Sequence, residues 1–183
     1  MKKVFLSVAL CSIVFLSSKA QDDGPTNVVK INPLGAIFGA AQLSYEHALS
    51  EKSSFMISPS FGFFNSGGLK YTTYGIGASY RFYFSQSKSA PAGFYAGPGV
   101  GYSLGKVKFS DDFGGGNTTA KIGGLNVSAV AGYQWIWDSG FSLDLNGGIQ
   151  YINYKYTDNS DGAFSAPFSG VLPTLGFGIG YAF

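Results

Sequence analysis

From residue 27 onward, apolar side chains recur at every second position, the period of a strand with one apolar face. The end of the chain shows it plainly. Val171, Pro173, Leu175, Phe177, Ile179, Tyr181 and Phe183 share one parity, and Gly170, Leu172, Thr174, Gly176, Gly178, Gly180 and Ala182 share the other. Phe94 to Leu104 and Leu125 to Trp137 repeat the pattern. Separated by turn signals, such runs number eight: 27–34, 39–49, 53–63, 70–84, 93–108, 120–137, 141–156 and 168–183. Connections 50–52, 85–92 and 138–140 read as turns at one end, and 35–38, 64–69, 109–119 and 157–167 as loops at the other. The pattern predicts an all-β fold, an eight-stranded antiparallel up-and-down β-barrel with both termini at the short-turn end. No segment has the 18 consecutive apolar residues of a transmembrane helix.

A water-soluble barrel would alternate in the same way, so the composition of the less apolar face separates the two. In a soluble barrel that face meets water and carries many charges. Here it carries Gly, Ser, Thr, Asn and Gln, and only 12% of all residues are charged, against about 25% in ordinary domains. Aromatic residues gather near strand ends, with Tyr80, Phe82, Phe84, Trp135, Trp137, Phe141 and Tyr181 at the short-turn end and Phe61, Phe63, Tyr74 and Tyr102 nearer the other. Those are the positions of interfacial girdles. The apolar face is therefore expected to look outward into lipid, which makes this a transmembrane barrel.

The first twenty residues fit that destination. Lys2 and Lys3 precede an apolar run from Val4 to Leu16, and Ser18-Lys19-Ala20 supplies a small-x-small cleavage pattern. This predicts a signal peptide over 1–20, cleaved near Ala20, and a barrel domain over 21–183. Thirteen apolar residues fall short of the roughly 20 that cross a bilayer as a helix. Cys11 lies inside the apolar run after Leu10 and is not a lipidation site; without it the chain has no thiol chemistry. Losing Lys2, Lys3 and Lys19 leaves nine basic groups against ten acidic, a net charge of −1, which argues against nucleic-acid binding.

The leader, the eight alternating strands and the closing Gly178-Ile179-Gly180-Tyr181-Ala182-Phe183 resemble small outer-membrane barrels of the OmpA/OmpX type. Lys30-Ile31-Asn32-Pro33-Leu34 followed by Leu43-Ser44-Tyr45-Glu46 is similar to small Bacteroidetes barrels without an assigned activity. The resemblance implies the outer membrane of a Gram-negative bacterium, and it makes Tyr181 and Phe183 a signal for the barrel-assembly machinery. The chain stops at Phe183, so the peptidoglycan-binding domain of full-length OmpA, and with it a wall-anchoring role, is not implied.

The candidate chemistry is sparse. His47, the single histidine, falls at the short-turn rim and is followed by Ala48 and Leu49 rather than by a nucleophile, so no enzyme is expected. Asp158-Asn159-Ser160-Asp161-Gly162 lacks the closing Glu of a calcium loop, Asn117-Thr118-Thr119 is a background sequon, and Gly97-x-Gly99-x-Gly101 has the wrong spacing for phosphate binding. No metal or other cofactor is expected. Two charge groupings remain. Lys30, Glu46, Arg81 and Asp144 share inward parity at similar depth near the short turns, which predicts a lumen ion cluster. Lys70, Lys106, Lys108, Lys121 and Lys155 lie on outward parity near the long loops, a collar facing lipopolysaccharide. Eight strands enclose a space that side chains fill, which favours a monomeric structural or interaction barrel at the cell surface over a narrow pore for water, ions or small solutes.

Overall fold

The computed structural model describes residues 24–37, 39–66, 69–109, 118–158 and 165–183. Eight strands close a ring in chain order, each antiparallel to the next: β1 (Asn27–Ile31), β2 (Ala40–Ser50), β3 (Ser53–Ser66), β4 (Leu69–Tyr83), β5 (Gly93–Phe109), β6 (Thr118–Ile136), β7 (Phe141–Asp158) and β8 (Ser165–Ala182). The fold is the all-β up-and-down barrel that the alternation predicts. The expected leader at 1–20 and most of the loop at 109–119 lie outside the described residues.

The first strand differs from expectation. The pattern predicts a strand over 27–34, but β1 ends at Ile31 and a short helix, α1 (Pro33–Ile37), follows. Asn32 and Pro33 cause the break. The Asn32 carboxamide accepts a hydrogen bond from the Gly35 amide at 3.1 Å, capping the helix, and proline is suited to the first helical position. Apolar periodicity in Leu34-Gly35-Ala36 is too short to outweigh these two signals. Elsewhere the strands run longer than predicted at the long-loop end: β3 reaches Ser66, β6 starts at Thr118 and β8 at Ser165.

Register places each strand's apolar set on the outside. Ala129 opposes Ile149, Val127 opposes Tyr151 and Val100 opposes Val127, and all of these except Ala129 are exposed large side chains. Leu175, at 87% exposed, stands farthest out. Aromatic pairs ring the short-turn end, with Tyr80 on Phe82 at 4.8 Å, Tyr133 on Trp135 at 4.5 Å and Trp137 on Phe141 at 5.3 Å between centroids. Phe61 and Tyr74 pair at 5.2 Å nearer the other end. The inside is polar. Ser44 meets Ser58 at 2.8 Å, and Asn126 donates to Gln150 at 3.2 Å. This is the inverse of a soluble barrel, with its largest apolar side chains outside and four charged ones buried within.

Glycine sets how closely the walls approach. A Cβ at Gly97 would fall inside contact distance of the Tyr80 carbonyl oxygen, so only glycine passes there. Gly180 and Gly178 on β8 leave the space along which the Lys30 side chain lies.

Candidate functional site

Seven strands each send one polar side chain to a single level of the lumen near the short turns. Lys30 comes from β1, Glu46 from β2, Ser54 from β3, Arg81 from β4, Tyr95 from β5, Gln134 from β6 and Asp144 from β7, with Tyr83 added from β4. All are buried, and Glu46, Gln134 and Tyr95 are fully so. Their coming together follows from parity, because each sits on the inward set of its strand and the register levels them.

The geometry is that of a closed ionic network. Lys30 Nζ lies 2.7 Å from Glu46 Oε2 and 2.7 Å from Asp144 Oδ2. Arg81 Nη1 reaches the same two oxygens at 3.1 and 2.8 Å. Each carboxylate thus bridges both cations. The second oxygen of each is also held. Glu46 Oε1 accepts from Tyr83 at 2.6 Å and from Ser54, while Asp144 Oδ1 accepts from Tyr95 at 2.6 Å. The Arg81 guanidinium stacks 4.1 Å from the Tyr95 ring centroid. Two positive and two negative groups balance, as a buried site requires.

Gln134 joins this network to the turn beneath it. Its carbonyl oxygen accepts from Lys30 and from Arg81, and its amide donates to the Pro91 carbonyl at 2.7 Å. Residues 85–92, predicted as a simple turn, are folded inward. Ala90 and Pro91 are buried, Ala90 packs with Tyr83 and Tyr95, and the Ala90 amide donates to the Glu51 carbonyl at 2.8 Å. The apolar side chains of Ala90 and Pro91 therefore pack beneath the layer of paired charge.

The structure brings Lys30, Glu46, Arg81 and Asp144 together. Sequence reasoning missed Gln134, Ser54, Tyr83 and Tyr95 as members. Their inward parity was the available signal; neutral residues simply carry no charge to be balanced.

The five collar lysines lie outside the barrel and are exposed. Lys70 is directly opposite Lys108, and Lys106 is directly opposite Lys121, so like charges face each other across β4–β5 and β5–β6. They border a groove of about 630 Å³ on the outer wall, floored by Tyr74 and Leu104. Lys155 flanks a neighbouring groove of about 400 Å³ beside Gly123 and Leu125. At the opposite end, Tyr181 is exposed, and Phe183 and Asn27 exchange two backbone hydrogen bonds of 2.9 Å. His47 shares the Asn27 carboxamide oxygen with the Tyr45 hydroxyl, at 2.8 and 2.7 Å. Among the described residues, no group of three or more potential metal ligands forms. Of the two loop motifs, residues 159–162 and 117 lie outside the described residues.

These features define the class: a closed eight-stranded barrel with a largely apolar exterior and a buried ionic cluster within. Residues 5–163 match a family described as proteins of unknown function (DUF3575), and the chain belongs to that family. No curated protein matches it. Among solved structures it is similar to the translocator domain of autotransporter NalP from Neisseria meningitidis, with a TM-score of 0.45 and 12% sequence identity. That alignment covers 97% of this chain and 68% of the other.

Proposed function

We propose that this chain is a non-conducting outer-membrane β-barrel with a structural or interaction role at the cell surface, exported by a leader that is cleaved near Ala20. The observation that carries the reading is the ionic layer of Lys30, Glu46, Arg81 and Asp144, buried side chains from four strands that meet across the lumen. An apolar exterior banded by aromatic pairs supports the membrane setting. A non-enzymatic role is supported by His47, whose ring nitrogen is engaged by Asn27 at the rim rather than by a nucleophile.

The collar supports lipopolysaccharide as the lipid partner. Like charges placed directly across a ladder repel, and lipid phosphates would relieve that repulsion while acyl chains cover Tyr74 and Leu104. Tyr181 and Phe183 are proposed as the segment that the assembly machinery reads, by resemblance to OmpA/OmpX-type barrels. The deciding experiment is single-channel recording of the refolded barrel in planar bilayers. Absence of current steps is expected; a steady ohmic conductance would replace this reading with the narrow-pore alternative. Replacing all five lysines with glutamine should reduce lipopolysaccharide co-purification.

A further inference from the structure

The barrel closes through its shortest strand. β1 has five residues and β8 has eighteen, and the two are paired only through Val28–Ile31 and Ala182–Ile179. Phe183 and Asn27 exchange both their hydrogen bonds, so the odd residues of β8 direct their N–H and C=O groups toward β1. Beyond Ile179 those groups meet no strand among the described residues, and α1 lies against β8 instead. The register would set Pro33 opposite Phe177, but Pro33 has no N–H to give and begins α1 instead.

The sequence of β8 fits an open edge. Pro167 and Pro173 are both odd-numbered, so their missing donors lie on the unpaired side. Prolines elsewhere in the wall follow the same rule. Pairing of β2 with β3 skips Leu43 and Ser44 beside Pro59, and pairing of β4 with β5 skips Tyr80 and Arg81 beside Pro98. Those breaks are local, whereas the one at β8 continues up the strand.

This seam opens into the lumen. A cavity of about 210 Å³ is lined on its inner side by Gln42, Ser79, Arg81 and Asn146 and on its outer side by Ile31, Leu175 and Phe177. Residues of inward and outward parity share one space only where the wall is incomplete. Arg81 and Ser79 both line it, and their Nε and Oγ atoms are buried without a hydrogen-bond partner among the described residues.

We propose that the β1–β8 seam is a lateral binding site for a membrane amphiphile with an uncharged, hydroxyl-bearing head and one alkyl chain, such as a monoacylglycerol. The inference rests on the membrane reading above. Size selects the mode of binding, because sites that enclose a whole drug-sized ligand measure roughly 300–1,000 Å³. The cavity therefore takes a head group and leaves the tail along Ile31, Leu175 and Phe177. Charge selects the head, since the four ionised groups beneath it already balance and an added charge would be buried without a partner. The head hydroxyls can exchange bonds with Gln42, Asn146 and Thr174, which line the cavity. In hydrocarbon, unsatisfied backbone groups are tolerated only where they line a polar cavity or are covered. A second copy adding its own strand fits less well, because the prolines withhold donors from that edge.

The test uses the barrel in phosphatidylcholine vesicles containing a monoacylglycerol with a photoactivatable diazirine beside its glycerol head, and maps adducts by peptide mass spectrometry. Adducts are expected on inward residues Gln42, Ser79, Asn146 and Thr174, and excess unlabelled monoacylglycerol should remove them. Adducts on outward Val100 and Val127 should persist, as bulk lipid contact. Thr174→Trp, filling the cavity from β8, should eliminate inward labelling, with Ser79→Leu as a second block from β4. Folding of both is checked by heat-modifiable gel mobility, and the competition on the native chain needs neither variant. A phosphatidylglycerol probe with the same photoactivatable group should label outward residues alone. Outward labelling without inward labelling, inward labelling that resists competition, or a cross-linked dimer through β8 would each overturn the proposal. Failure of the barrel to float with the vesicles would instead overturn the membrane reading beneath it.

Discussion

Replacing Arg81 with methionine removes one of two cations from a layer with two carboxylates. Lys30 alone then faces Glu46 and Asp144, and the layer of buried side chains carries a net negative charge. Three hydrogen bonds from Arg81 Nη1 are lost, at 3.1, 3.3 and 2.8 Å, along with the stacking on Tyr95. Breaking a buried ion pair by removing one partner costs about 3–5 kcal/mol. That is a large share of the roughly 5–15 kcal/mol by which a folded domain is stable. Asp144→Asn should cost a similar amount with the opposite imbalance. The informative variant is the double replacement, which returns the layer to one cation, Lys30, and one carboxylate, Glu46. The double variant should be at least as stable as either single one, which requires a coupling of at least about 3 kcal/mol between the sites. Urea unfolding in detergent micelles, followed through Trp135 and Trp137 at the same end of the barrel, measures all four proteins. Additive losses, or a single-variant loss below about 1 kcal/mol as for an exposed pair, would refute the idea that charge balance holds this layer together.

Tyr95→Phe should destabilise more than Tyr83→Phe. Asp144 Oδ1 would keep only a long 3.4 Å bond from Asn146, whereas Glu46 Oε1 would keep Ser54, and a buried charged acceptor left short of donors costs about 1–3 kcal/mol; the same urea titration ranks them. Ile149→Arg, on the outward face of β7, should reduce folding into vesicles by about 2–4 kcal/mol, and no loss would mean that this face does not meet lipid. Gly97→Ala should prevent heat-modifiable folding, since its Cβ would overlap the Tyr80 carbonyl, while Gly77→Ala, whose Cβ would meet Val100 and Ser58 at ordinary distances, should fold as the parent does.

The strands were readable because a barrel wall imposes one rule on every residue, inward or outward, and that rule has a period of two. Lys30, Glu46, Arg81 and Asp144 were readable for the same reason, as the charges on the inward parity of a charge-poor chain. The departures come from places where another interaction outweighs alternation. Asn32 and Pro33 obey capping chemistry, which a hydrophobic pattern does not register, and they end β1 at Ile31. Residues 85–92 hold no alternation at all, so nothing in the sequence distinguished a solvent turn from one folded under the lumen by Gln134 and packed against Tyr83 and Tyr95. Gln134 is neutral, and its part in the network is visible only once β6 is set against β7 opposite Asp144.

The ionic layer also bears on the order of assembly. Its partners are far apart in the chain, with Lys30 meeting Glu46 across 16 residues, Gln134 across 104 and Asp144 across 114. Contacts of such separation form after local hairpins, because the intervening loop must first be closed. A β6–β7 hairpin that entered lipid alone would carry Asp144 without either cation, and a β3–β4 hairpin would carry Arg81 without either carboxylate. Each half-barrel is thus penalised for entering hydrocarbon early, and the penalty disappears only when β1 meets β8. On the proposed membrane reading, insertion and closure are thereby coupled into one late step, with the mutual neutralisation of four charges as its latch.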